Sequence, residues 1–179
     1  MLKKIVATVV GALLLIVGLG FVLPDKAHVE RSAVINAPPD KVFALVSDFN
    51  QWSRWSPWAD LDPATVYEIS GAGVGHRMSW TSKDPNVGEG VQTVTAIDPP
   101  ARLVTHLEFG DMGKADATFT LTPEGEATKV VWSLDSNMRD GVPFWMKPMS
   151  TYMGFFMDGM VGKDYEKGLA RLKAAAEAS

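Results

Sequence analysis

Between Thr65 and Asp135 apolar and polar residues alternate in one segment after another, and this two-residue period constrains the chain more than any other feature. Successive side chains on a strand point to opposite faces, so strict alternation means one buried and one wet face, the pattern of an antiparallel sheet. Ala115, Phe119 and Leu121 alternate with Asp116, Thr118, Thr120 and Thr122, and Val130, Trp132 and Leu134 alternate with Lys129, Ser133 and Asp135. Six such strands are predicted, at about 65–70, 76–82, 89–97, 102–109, 115–122 and 128–136. Turn residues separate them, among them the glycines at 71, 73 and 75, Asp98-Pro99-Pro100 and Pro123-Glu124-Gly125-Glu126. The first glycine group leads into a strand rather than a helix, so it reads as a hairpin turn and not as a phosphate cradle. His28 to Ile35 forms a further strand ahead of the six. Asn36 to Asp40 then opens a short helix, because proline is tolerated in a first turn and an acid there complements the helix dipole. Trp52, Trp55 and Trp58 follow at intervals of three, and Pro57 forbids a long regular helix through them.

The last third has a different period. Met149, Met153, Phe156, Met160, Leu169 and Leu172 fit one helical stripe from about Pro148 to Glu177. Glycines at 154, 159, 162 and 168 each weaken such a helix by up to about 1 kcal/mol relative to alanine, so packing must sustain its length. The expected fold is α+β: a curved antiparallel sheet of about seven strands wrapped around a long C-terminal helix.

Ile5 to Leu23 is a run of 19 residues without a charge, with Thr8 its only hydroxyl. As a helix it rises roughly 28 Å, close to the hydrocarbon thickness of a bilayer. Lys3 and Lys4 precede it, which keeps the N-terminus in the cytoplasm and puts the rest on the extracytoplasmic, periplasmic side. A signal peptide begins the same way, but Pro24-Asp25-Lys26-Ala27 offers no small-x-small cleavage site. The expected organisation is an N-terminal transmembrane anchor over residues 1–24, or an uncleaved signal, and one domain over residues 25–179. The formal charge of −4 becomes more negative once Lys3 and Lys4 are set aside, which argues against a nucleic-acid partner. With no cysteine, thiolate metal sites and cysteine nucleophiles are excluded, and the three histidines have no zinc-site spacing. No metal or cofactor is expected.

Several segments together resemble the START-like superfamily of helix-grip proteins, and within it the polyketide cyclase/dehydrase group. They are "VERSAVINAPPDKVFALVSDF", "WSRWSPW", "GEGVQTVTAIDPPARLVTHLEF", "ATKVVWSLD" and "GLARLKAAAEA", and they cover about residues 28–177. The resemblance implies a deep, mostly apolar cavity between sheet and long helix. The N-terminal membrane segment departs from the stand-alone cyclases. The fold hosts lipid-transfer, hormone-binding and cyclase functions alike, so it does not select among them.

Such a cavity would be lined by the inward parity set Tyr67, His76, Met78, Trp80, Phe119 and Trp132, and by Met149, Tyr152, Met153, Phe156, Met157 and Met160 from the helical stripe. Six of the nine methionines lie between Met138 and Met160, and their flexible, polarizable side chains suit an irregular apolar ligand. The same stripe also reads as plain core, or as a surface facing a bilayer. His76 and Tyr67 are the catalytic candidates, a general base and a hydrogen-bond donor to a carbonyl, while a lone inward histidine also reads as a satisfied structural residue. His106 falls on the wet face. The three tryptophans read as a plug closing one end of the sheet or as a ligand platform. The sequence therefore supports a membrane-anchored domain that binds a hydrophobic small molecule or lipid. Its alternatives are a cyclase, dehydrase or isomerase, and an envelope interaction module with a closed cavity.

Overall fold

In the computed structural model, which describes residues 1–178, the expected strands all form; Ser179, the last residue of the expected domain, lies outside the described residues. Helix α1 (Leu2–Val22) is followed by β1 (Lys26–Ile35), α2 (Pro39–Ser47) and a 3-10 turn (Phe49–Arg54). Then come β2 (Val66–Ser70), β3 (Arg77–Thr81), β4 (Glu89–Asp98), β5 (Arg102–Glu108), β6 (Lys114–Glu124) and β7 (Ala127–Asn137), and the chain ends in α3 (Lys147–Gly154) and α4 (Met157–Glu177). The seven strands form one antiparallel sheet in the order β1-β7-β6-β5-β4-β3-β2.

This order sets β1 and β2 on opposite edges, about 29 Å apart at the usual strand spacing. The segment joining them must cross the whole inner face. That crossing is α2 and the 3-10 turn, which bury Val42, Phe43, Leu45, Val46, Phe49, Trp52 and Trp55 against the sheet. Residues three apart eclipse on a 3-10 turn, so Trp52 and Trp55 enter the core side by side. Their indole N–H groups donate to the carbonyls of Val46 and Leu45 at 2.9 and 3.0 Å. These are carbonyls of the last turn of α2, which have no partner within the helix. The tryptophans thus form the expected plug and also cap the helix that precedes them.

α4 lies along β1 and reaches Trp132 of β7. Tyr165, Leu169, Leu172 and Ala176 make its buried stripe, and Tyr165 stacks on Trp132 with ring centroids 3.7 Å apart. Burial pushes the Tyr165 phenol well above its ordinary pKa. At its N-terminal end, Asp158 and Glu166 accept hydrogen bonds from Arg31 of β1 at 2.8 Å, and the bond from Arg31 holds the Asp158 carboxyl below its ordinary pKa.

The expected single helix from Pro148 to Glu177 is two helices. The N–H groups of Phe155 and Phe156 turn back to the carbonyls of Tyr152 and Met153, closing α3, and α4 starts afresh with Met160 N–H to the Phe156 carbonyl. The two helices have different partners, which is the physical reason for the break. α4 packs on the sheet, whereas α3 packs on α1.

Candidate functional site

The inner face of the sheet has two unlike halves. β1 starts four residues after α1 ends, so the start of β1, the end of β7, the start of β6, the end of β5, the start of β4, the end of β3 and the start of β2 all lie toward α1. In the half away from α1 the face is closed. Phe119 and Trp132 stack at 4.8 Å, Trp55 meets both edge-on, and all three are fully buried. Phe119 and Trp132 therefore face inward, as their parity requires, but into the plug and not into a cavity.

In the half nearer α1 the outermost row of the same face is left partly exposed. Tyr67 pairs across to Trp80, and Trp80 to Gly90; the next inward row is Ile69, Met78, Gln92 and Leu107. Gly90 is required here, because a Cβ would run into the Trp80 ring. Trp80 lies over that bare backbone and meets Phe109 edge-on at 5.9 Å. Tyr67, on the inward face, is 43% exposed, contrary to the enclosed position expected from its parity. Trp80, Leu107 and Phe109 are half-buried. Beneath them Gln92 is buried and donates from Nε2 to Thr105 Oγ1 at 2.9 Å, a polar pair within an otherwise apolar wall. Partial desolvation raises the Tyr67 phenol above its ordinary pKa, so it is a neutral donor near pH 7. Leu107 and Phe109 were not singled out from the sequence; their parity was readable, but not that they would remain half-buried at the end of the sheet nearer α1.

His76 is buried between these halves, stacked on Phe49 at 4.6 Å. Its Nδ1 donates to the Ser70 carbonyl at 3.0 Å and its Nε2 accepts from the Phe49 N–H at 3.0 Å. Both ring nitrogens are engaged, so neither is available to take a proton from a ligand. Asp48 lies 3.6 Å from Nε2. Burial pushes its carboxyl upward, but hydrogen bonds from the Asn50 side chain and backbone outweigh that and hold it below its ordinary pKa. Replacing His76 by Ala is expected to cost about 2–3 kcal/mol by stranding the Phe49 N–H and the Ser70 carbonyl, read as a fall in the urea midpoint. An unchanged midpoint would contradict this structural role.

The stripe residues separate. Met157 is half-buried against the core at the start of α4, whereas Met149, Met153, Phe156 and Met160 are exposed. Tyr152 turns away from the sheet and donates its hydroxyl to the Ile16 carbonyl of α1 at 2.7 Å. Two surface clefts lie elsewhere. One, of about 350 Å³, flanks α2 at Lys41, Asp48 and Arg54. The other, of about 430 Å³, is on the outer sheet face at Lys26, His28, Asp116, Asp135 and Asn137. There Asp116 and Asp135 face each other in register, and each meets a histidine Nδ1 at 2.7 Å, from His106 and His28 respectively. The two histidines relieve a like-charge pair. Among the described residues no group of three or more acidic or histidine side chains is arranged to hold a metal ion.

A family model described as "Polyketide cyclase / dehydrase and lipid transport" matches residues 26–177. The chain belongs to that family. No curated protein matches the sequence. Similar solved structures include Ara h 8.0201, at 16% identity and a TM-score of 0.59 over 86% of this chain and 99% of that one. A Thermobifida fusca protein follows at 21% and 0.60, over 83% and 92%. DynU16, a protein of the dynemicin biosynthetic locus, matches at 17% and 0.57, over 84% of this chain and 47% of that one. At these identities the likeness is one of fold. These solved structures share the fold of this chain. In this member an aromatic plug fills one half of the grip, and the outermost row of the other half is left partly exposed toward α1.

Proposed function

We propose that this family member is a membrane-tethered binding protein for a lipid or another apolar small molecule, which it takes up at the α1 end of the grip. α1 is long and apolar enough to cross a membrane. Read as a spanning helix with Lys3 and Lys4 on the cytoplasmic side, it holds the domain on the extracytoplasmic face. The observation that carries the reading is the position of the partly exposed wall. Tyr67, Trp80, Leu107 and Phe109 lie at the end of the sheet nearest the helix, so an acyl chain or ring system leaving the bilayer meets apolar surface before it meets water. The half-exposed Tyr67 hydroxyl supplies a polar atom for one oriented group of such a ligand.

The test uses the full chain in nanodiscs of phosphatidylcholine carrying a trace of phosphatidylcholine with a diazirine in its acyl chain. After illumination, mass spectrometry is expected to find adducts on β3, β5 and the turn at Phe109. Trp80→Ala should reduce them at least about tenfold, the size of effect that loss of a buried aromatic anchor produces. Adducts confined to α1 and α3, unchanged by Trp80→Ala, would overturn the binding role and leave only membrane contact.

A further inference from the structure

The segment between β7 and α4, with the first turn of α4, clusters exposed large apolar side chains. Trp145 is 77% exposed, Phe144 72%, Met149 67% and Phe156 65%, with Phe155 and Met160 also above half. From Gly141 to Gly162 the only charged residues are Lys147 and Asp158, and Asp158 is bound to Arg31. In water such a surface is a liability.

Its neighbour shows what covers it. Phe144 stacks on Phe21 at 5.2 Å, Pro148 lies against Gly20, and Tyr152 reaches the Ile16 carbonyl. Ile16 is seven residues back from Leu23 at the end of α1, about 10 Å down the helix axis. A helix that touches α1 at Ile16 lies alongside it and not beyond its end. If α1 is in the bilayer, α3 is in it too.

The polar groups of the segment are arranged for that environment, where each must find its partner within the protein. Its three hydroxyls all do so. Ser150 donates to the Met138 carbonyl, Thr151 to that of Lys147, and Tyr152 to that of Ile16. Pro143 and Pro148 have no N–H to satisfy, and the turn between the helices closes on the Tyr152 and Met153 carbonyls. Lys147 is half-buried, and a lysine stem can lie along apolar surface while its ammonium reaches the headgroups.

Resting on the reading of α1 as a membrane-spanning helix, we propose that residues 144–160 form a foot that enters the leaflet beside α1, with Phe144, Trp145, Met149, Phe155, Phe156 and Met160 against lipid. The occupant of this surface is the acyl and headgroup boundary of the bilayer. The foot fixes the tilt of the domain and brings the partly exposed end of the grip down to the membrane surface, which one flexible tether would not do.

The chain has no cysteine, so single cysteines report position directly. A nitroxide is placed in turn at Trp145→Cys, Met149→Cys and Phe156→Cys of the full chain, in nanodiscs holding one copy and without any added ligand. Leu14→Cys serves as the lipid reference and Val74→Cys, 64% exposed in the β2–β3 turn, as the water reference. Relative accessibility to oxygen and to a nickel chelate is expected to place the three labels about 5–10 Å below the phosphates, the depth of interfacial helices. Labels with the accessibility of Val74→Cys would overturn the foot while leaving lipid capture by the sheet untouched. Protection only in discs holding two copies would overturn it in favour of self-association. A Leu14→Cys label in water would overturn it together with the spanning reading.

Discussion

Trp55→Ala is expected to lower the stability of the full chain in micelles by about 5 kcal/mol, a large part of the 5–15 kcal/mol that holds a typical domain together. Trp55 is fully inaccessible and contacts Trp52, Phe119 and Trp132. Truncating a core tryptophan costs about 3–5 kcal/mol in transfer and cavity terms. Its N–H also caps the Leu45 carbonyl, and stranding that group adds about 1–2 kcal/mol. Two milder substitutions separate the terms. Trp55→Phe loses the cap, whereas Trp132→Phe loses nothing equivalent, because among the described residues the buried Trp132 N–H has no acceptor. Chemical denaturation followed by near-ultraviolet circular dichroism should therefore rank Trp55→Ala as most destabilising, then Trp55→Phe, then Trp132→Phe. A loss below about 2 kcal/mol for Trp55→Ala would mean that the plug is not the keystone of the closed half.

The plug also shows how far the sequence could be read. Parity identified the inward faces of β1, β2, β3, β5, β6 and β7, and intervals of three identified the tryptophans as a unit, because period is a property of single elements. Whether an inward residue meets a cavity or another ring depends on what crosses the sheet. Phe119 and Tyr67 have the same parity signal and opposite surroundings, since the segment from β1 to β2 covers one and leaves the other partly exposed. The break at Phe155 was hidden for a related reason. Met149, Met153, Phe156 and Met160 keep a helical spacing through it, and only the different partners of α3 and α4 divide them. His76 was legible as inward, but the Phe49 N–H that occupies its Nε2 lies 27 residues away. Long-range partners of this kind leave no local trace in a single sequence.

Arg139 is where α1 and the sheet domain are joined, and Arg139→Ala is expected to cost about 3 kcal/mol. From the turn after β7 its Nη2 donates to the Gly20 and Leu23 carbonyls, at 3.1 and 2.6 Å, and its Nε donates to Thr151 Oγ1 at 3.0 Å. Its Nη1 lies 3.4 Å from Asp25, with the two side chains 21% and 29% exposed. α1 ends without a basic residue of its own in the last turn, so Arg139 supplies from outside the positive charge and the donors that the helix C-terminus lacks. Alanine would strand two carbonyls and the Asp25 carboxylate together, and partial exposure keeps the loss below that of a fully buried pair. At about 2–4 °C per kcal/mol for a chain of this size, the thermal midpoint should fall by about 6–12 °C. Arg139→Lys should recover only part of this, because one ammonium cannot address the Thr151 hydroxyl, two carbonyls and a carboxylate in a planar fork. Gly20 makes the joint possible, since a Cβ there would sit 2.7 Å from that of Pro148. A midpoint shifted by less than about 2 °C in Arg139→Ala would show that α3 is held to α1 by the Phe21–Phe144 and Gly20–Pro148 packing and the Tyr152–Ile16 hydrogen bond without it. A fall of the expected size would make Arg139 the residue that sets the sheet domain against α1.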